Sequence, residues 1–301
     1  MKIAITGGTG FIGSALSKKL LEQKHEVIIL CRNIPKTNII KNVTYIQWLT
    51  NKKIDLDALE NTDCIINLAG ATISKRWTND YKKQIVTSRL EATNEVLKII
   101  GQLKRKPSIL INASAIGFYG TSETKIFTER TIDAGNDFLA TTCKQWEELA
   151  LTAKDLGTTR IVLARFGLIL DSHNGALPKI VLPYRSLVGG NLGSGKQWYS
   201  WIHIDDCVGS IIHILNTPTI DGAINLVAPT PVSMNEFGKC LAKVLKRPHY
   251  FSASGFLIQT ILGEMSMLVL KGQRVFPEKL LETNYSFKYP HLTDALNSLY
   301  S

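Results

Sequence analysis

The amino-acid sequence predicts a doubly wound parallel α/β sheet, followed by a smaller α+β lobe. Three observations carry this reading. Short apolar runs alternate with helical patterns through the first half, a Gly-rich turn joins the first run to the first helix, and the alternation loosens after Arg165. Strands that are apolar on both sides belong in a parallel sheet covered on both faces, and right-handed crossovers then place helices on each face.

Lys2–Thr6 (KIAIT) reads as the first strand, and residues 7–13 form the turn into a helix over Phe11–Gln23. Further strands are expected at Glu26–Leu30, Cys64–Leu68, Ile109–Ala113 and Arg160–Arg165, with helices over Thr78–Lys104 and Asp137–Leu156. Residues 171–200 carry Gly175, Pro178, Pro183, Gly189, Gly190, Gly193 and Gly195, so they read as loops around a short helix. Ala223–Ala228 reads as one more strand. A helix over Ser233–Leu245 opens at a Ser cap with Glu236 three residues on. Residues 1–170, completed by the strand near 223–228, are expected to form a dinucleotide-binding Rossmann domain. Residues 171–200 and 229–301 are expected to form a substrate lobe.

Composition narrows the function classes. The chain has 301 residues, 45% hydrophobic and 20% charged, which excludes a disordered or collagen-like chain. Five widely spaced cysteines suggest neither a disulfide framework nor a metal site. The net charge of +10 is spread over short clusters such as Lys52–Lys53 and Lys104–Arg105–Lys106, without interleaved aromatics. That balance suits an anionic small ligand better than nucleic acid. The greasiest stretch, 255–270, is interrupted by Gln259, Glu264 and Ser266 and is too short to span a bilayer. A strand begins at Lys2, with no room before it for a signal-peptide core. The expectation is a cytoplasmic protein with a small-molecule substrate and no membrane or nucleic-acid partner. The sequence gives no reading of oligomeric state.

Residues 6–13 read Thr-Gly-Gly-Thr-Gly-Phe-Ile-Gly. A pyrophosphate needs close backbone approach and free N–H donors at a helix N-terminus, where the dipole favours negative charge. Gly7, Gly10 and Gly13 permit the tight turn, the close approach and the helix–strand packing, with Thr9, Phe11 and Ile12 completing the loop. The second strand ends in Leu30-Cys31-Arg32. An acidic residue there would bind the ribose 2′-OH of NAD. Arg32 suits the 2′-phosphate of NADP instead, so NADP is expected, with NAD possible. Leu68, Ala69 and Gly70 stand at the carboxyl end of the third predicted strand, where the small Ala69 and Gly70 let a ribose approach the backbone.

The blocks GGTGFIG, NLAGA, ASAIGFYG and SWIHIDD, in that order, resemble the short-chain dehydrogenase/reductase superfamily in its extended, epimerase-like branch. Lys75-Arg76-Trp77, Ser88-Arg89, the run from Gly193 to Trp198, and the tail from Leu262 to Pro290 resemble one atypical subgroup. That subgroup belongs to the NAD-dependent epimerase/dehydratase family and carries the C-terminal domain of unknown function DUF1731. The resemblance implies cofactor contacts along Ala113, Phe166 and Gly167. It also implies a catalytic Tyr-x-x-x-Lys with a Ser and an Asn, in which Lys lowers the Tyr pKa for proton transfer. Here Leu139 stands in the Tyr place, Cys143 in the Lys place and Arg89 in the Asn place, while Ser114 or Ala115 falls in the Ser place.

Lys144 lies one residue past Cys143, about 100° round a helix, and is expected to point elsewhere. Ser114, Cys143 and Arg89 are therefore the candidate catalytic residues, with Tyr119 or water as other proton donors. Trp77, Trp198, Tyr199 and Trp201 are candidates for a pocket floor, or for ordinary core. His203 reads as a hydrogen-bonded scaffold residue of a strand rather than a general base, and Asp205 and Asp206 as caps of the next helix. Arg165 has two readings, a place near the nicotinamide as the resemblance implies, or a pair with Asp205 or Asp206. Two functions follow: an NADP(H)-dependent oxidoreductase or epimerase-like enzyme on an unidentified polar molecule, or a non-catalytic NADP(H)-binding redox sensor or scaffold.

Overall fold

Seven parallel strands form the central sheet of this computed structural model, which describes residues 1–300 apart from 38 and 52. Lys52, a member of one predicted basic cluster, thus lies outside the described residues. The strands are β1 (Lys2–Thr6), β2 (Glu26–Cys31), β3 (Thr44–Gln47), β4 (Cys64–Asn67), β5 (Ile109–Ala115), β6 (Arg160–Phe166) and β7 (Gly222–Leu226). Their order is β7-β6-β5-β4-β1-β2-β3. The direction of winding reverses between β1 and β4, and such a switch point opens a crevice outside the carboxyl ends of the strands.

Alternation along each strand divides the core. Ile3, Ile5, Ile29 and Ile66 face α1 (Phe11–Glu22) and α5 (Ile204–Asn216), through Leu16, Leu20 and Ile211. Ala4, Ile28, Leu30 and Ile65 face α2 (Asn79–Gln102) through Ala92, Val96 and Ile100, and α3 (Phe138–Leu151) through Ala150. Each fully buried aliphatic side chain stabilises the fold by about 1.5–3 kcal/mol.

Side chains cap these helices as their sequences suggest. Thr78 Oγ1 accepts from Tyr81 N at 3.1 Å before α2, and Asp137 Oδ1 accepts from Ala140 N at 2.9 Å before α3. Helix α3 stops at Leu151 and continues as a 3₁₀ turn over Thr152–Leu156, so the single helix expected over 137–156 divides in two. Strand β3 was not anticipated.

The second region contains α4 (Leu177–Arg185), α6 (Met234–Leu245), α7 (Gly255–Leu262), α8 (Met267–Leu270), α9 (Glu278–Glu282) and α10 (Leu292–Tyr300). The capping box expected at Ser233 and Glu236 forms at the start of α6. Leu177, Val181, Trp201, Phe237, Leu241 and Leu296 form a core here. Among the described residues four short strand pairs knit it together, including Gly190–Leu192 with Phe251–Ala253 and Ile126–Phe127 with Arg274–Val275. Among the described residues no helix is long and apolar enough to cross a membrane, and no His, Cys, Asp and Glu group is placed to hold a metal.

Candidate active site

The Gly-rich turn leaves β1 at the switch point. Gly7 has φ +65°, and a Cβ there would come within 2.9 Å of the Leu68 carbonyl group. At Gly13 a Cβ would sit 2.4 Å from Gly7 O and 2.6 Å from Gly8 Cα, so a bare backbone is what lets α1 start against the turn. Gly10 N donates to Gly7 O at 2.9 Å, and Gly10 caps α1 without a side-chain hydrogen bond. No acidic residue occupies the first turn of α1. Thr9 is exposed and Phe11 and Ile12 are half-buried beside it. A helix N-terminus with a favourable dipole and a close-packed glycine turn together suit an anionic group such as a pyrophosphate.

Arg32 follows the last residue of β2 and is exposed. Its backbone carbonyl accepts from Gln47 Nε2 at 2.9 Å, which ties it to β3. Its guanidinium has no partner among the described residues, leaving a fixed-charge donor fork beside the turn.

A buried amide network braces the ends of β1, β4 and β5. Thr6 Oγ1 donates to Asn67 Oδ1 at 2.6 Å and accepts from the N–H groups of Leu68 and Ala69. Asn67 Nδ2 donates to Asn112 Oδ1 at 2.7 Å and to Thr93 Oγ1 at 3.0 Å. Trp146 Nε1 also donates to Thr93 Oγ1, at 2.9 Å. Leu68, Ala69 and Gly70 are thereby held at the edge of the crevice. Asn67, Thr93, Asn112 and Trp146 were missed as a unit, since only their spatial convergence makes them one.

Arg89 lies against Gly70, where a Cβ would meet its Cζ at 3.3 Å. Its Nη1 donates to Ala71 O and Ile85 O, and its Cζ stands 5.1 Å from the Trp146 ring centroid. Burial lowers its pKa, against the opposing influence of Cys143 and Tyr81. No carboxylate pairs with it among the described residues. The result is a cation held on carbonyls at the crevice, suited to developing negative charge.

Ser114, by contrast, is committed to the interior. Its Oγ donates to Glu147 Oε1 at 2.5 Å. Arg165 grips the same carboxylate with two charge-assisted bonds, Nε to Oε1 at 2.8 Å and Nη2 to Oε2 at 2.7 Å. Arg165 thus pairs with Glu147, correcting the expected Asp205 or Asp206. Lys288 takes Asp205 at 2.7 Å, and Asp206 accepts from the N–H groups of Lys288 and Tyr289.

The cap of α5 is His203, whose Nδ1 accepts from Asp205 N at 3.0 Å, and Asp205 and Asp206 occupy the first turn instead. The cap falls to His203 because the strand Trp201–His203 ends there and leaves its ring beside the first free N–H groups.

Leu139 and Cys143 share the face of α3 turned to Gly117, where a Cβ would meet Leu139 Cβ at 3.5 Å and Cys143 Sγ at 3.9 Å. Burial pushes the Cys143 thiol up to about 11, reinforced by Glu147 and only partly opposed by Arg89. It is a protonated thiol at neutral pH, so the nearby arginine does not make it a thiolate. Lys144 is exposed, 3.9 Å from Glu148 on the outer face. Tyr119 donates its hydroxyl to Asn225 Oδ1 at 2.8 Å and is buried.

Ala113, Phe166 and Gly167 lie at the ends of β5 and β6. A Cβ on Gly167 would approach Ser200 O to 2.5 Å, so this glycine serves the close passage of 200 across the sheet. Ser200 Oγ donates to Gln273 O and accepts from Val275 N, both at 2.9 Å. Gln197 Nε2 donates to Leu192 O and Val269 O, and Gln273 Nε2 to Ile116 O. The C-terminal segment is thus bound to the crevice by backbone carbonyls. Trp201 is fully buried, and Tyr199 packs edge-on against Phe237. Both are core. Trp198 stacks with Arg274 at 4.4 Å, and Trp77 meets Phe138 at 5.3 Å.

Residues 3–226 match the NAD dependent epimerase/dehydratase family, and residues 253–299 match a domain of unknown function, DUF1731. The epimerase family protein YfhF of Bacillus subtilis (strain 168) is 44% identical over 299 residues, covering 99% of this chain and 98% of that one. The structure of the human epimerase family protein SDR39U1 (isoform 2) with NADPH is similar with a TM-score of 0.86. It is 29% identical, covering 100% of this chain and 99% of that one. A UDP-glucuronic acid 4-epimerase from Bacillus cereus, solved with UDP-glucuronic acid and NAD, shares the fold at a TM-score of 0.78 and 20% identity. It covers 100% of this chain and 98% of that one.

Proposed function

Because the chain belongs to the NAD dependent epimerase/dehydratase family, we propose that it binds NADP(H) at the carboxyl ends of β1, β2 and β4 and acts as a cytoplasmic oxidoreductase on a small polar substrate. Residues 1–170 with β7 hold the cofactor, and residues 171–200 and 229–301 enclose the substrate. The observation that carries the reading is the Gly7–Gly13 cradle beside Arg32, whose guanidinium has no partner among the described residues. A human relative solved with NADPH supports the same cofactor. Bound NADP(H) supplies hydride chemistry.

The chain's own residues then have restricted roles. The N-terminus of α1 would hold the pyrophosphate and Arg32 the 2′-phosphate, with Leu68, Ala69 and Gly70 contributing to the ribose site. Arg89 faces developing negative charge. The proton donor is unlike the superfamily's, since Leu139 carries no proton to give and Ser114 spends its hydrogen bond on Glu147. That observation favours a second reading, a sensor that binds NADP(H) without turnover.

Titration of Arg32→Ala with NADPH and NADH tests the cofactor assignment. NADPH affinity is expected to fall about ten- to hundred-fold with NADH little changed. Equal effects on both cofactors would remove Arg32 from the site. Turnover of NADPH against a panel of carbonyl compounds separates enzyme from sensor.

A further inference from the structure

The second region has a charge distribution unlike the rest of the chain. Residues 172–204 and 237–263 contain seven Lys or Arg and no Asp or Glu, in a chain with 25 acidic residues. Two loops from these segments meet at one edge. The N–H groups of Tyr250 and Phe251 both donate to Gly189 O at 3.2 Å, and Tyr250 OH donates to Leu187 O at 3.3 Å. Below them Tyr184 stacks on His249, which fixes the end of α4 to the chain leaving α6.

That edge presents large apolar groups to solvent. Leu182 is 63% exposed, Leu187 51%, Val188 48%, Tyr250 69% and Phe251 53%. Arg185 ends α4, Lys246 and Arg247 follow α6, and all three are exposed and form no ion pair among the described residues. Exposed apolar side chains grouped in this way mark an interaction surface.

We infer that this edge docks on the surface of an anionic phospholipid bilayer. Aromatic and aliphatic side chains enter the headgroup boundary, and neighbouring cations are drawn to anionic lipid. The flanking segments hold no carboxylate to be repelled. Leu182, Leu187 and Val188 offer nothing to a phosphodiester backbone, which separates this surface from one for RNA. The contact is peripheral and needs no spanning helix. It also stands apart from the cofactor assignment.

The test is sedimentation of the full-length protein with vesicles of phosphatidylcholine alone, or mixed with phosphatidylglycerol. Partition onto the mixed vesicles is expected to exceed that onto phosphatidylcholine by roughly ten-fold or more, and to weaken with salt. Combined Arg185→Glu, Lys246→Glu and Arg247→Glu is expected to lower it by about a hundred-fold or more. Tyr250→Ser with Phe251→Ser is expected to lower it about ten-fold, with the thermal midpoint unchanged as the check on folding. Failure of the unmodified protein to prefer the anionic vesicles overturns the inference. So does partition indifferent to both sets of substitutions. Binding to polyuridylic acid that needs the cations but ignores the aromatic pair also overturns it, in favour of a nucleic-acid surface.

Discussion

Glu147 is the residue on which the interior of the site turns. It is 4% exposed, and Arg165 and Ser114 spend their strongest bonds on it. Removing one partner of a buried ion pair leaves the other charge unsolvated, which costs roughly 3–5 kcal/mol. Glu147→Gln is therefore expected to lower stability to urea by about that amount. Ser114→Ala leaves the bidentate Arg165 contact in place, and about 1 kcal/mol is expected. Measuring both variants also weighs the chemistry. A Ser114→Ala protein of near-native stability that has lost a measured turnover would assign the hydroxyl to catalysis. Equal losses in stability and turnover would leave it a brace.

At the scale of elements, α3 presents Leu139 and Cys143 to Gly117 and turns Lys144 outward to Glu148. Leu139→Tyr with Cys143→Lys sets a Tyr and a Lys four residues apart on the crevice face. The double variant is expected to gain weak carbonyl reduction with NADPH, whereas Lys144→Ala changes NADPH affinity less than two-fold, within the scatter for a surface side chain. NADPH oxidation followed by absorbance checks the first, and NADPH titration the second. This face was legible in the sequence because helical geometry alone separates 143 from 144. The buried strands and the Gly-rich turn were legible too, through unbroken apolar runs and a glycine pattern that only a tight turn requires. Strand β3 was not, since Thr44–Gln47 buries only Ile46 and lies at the sheet edge. Nor were the Glu147–Arg165 pair and the Asn67 network, whose hydrogen-bonded partners stand 18 to 61 positions apart along the chain. Polar groups so spaced carry no periodic signal, and they become partners only when the sheet brings their strand ends together.

At the scale of the whole molecule, His203 joins the sheet-forming chain to the C-terminal region. It caps α5 through Nδ1, meets Ser298 Oγ through Nε2 at 3.3 Å, and packs 4.1 Å from the Tyr289 ring. Burial lowers its pKa, against the pull of Asp205 and Asp206. An unfolded histidine titrates near 6.5. Below that pH the unfolded chain takes up a proton that the folded site resists, so stability falls as pH drops from about 6.5 toward the lower folded value. Above about 7 both states are neutral and the effect vanishes. His25, His213 and His249 are lowered by burial in the same direction, whereas half-buried Glu129 is raised by burial and acts oppositely. Comparing His203→Asn with the unmodified chain cancels those shared contributions, and Asn retains an acceptor for the Asp205 N–H. The variant is expected to be less stable at pH 7.5 by about 1 kcal/mol, through the lost ring contact with Tyr289. Its urea midpoint is expected to decline less than that of the unmodified protein between pH 7 and pH 5, so the two curves converge. Parallel curves over that interval would mean that His203 takes up its proton in the folded state as readily as in the unfolded one.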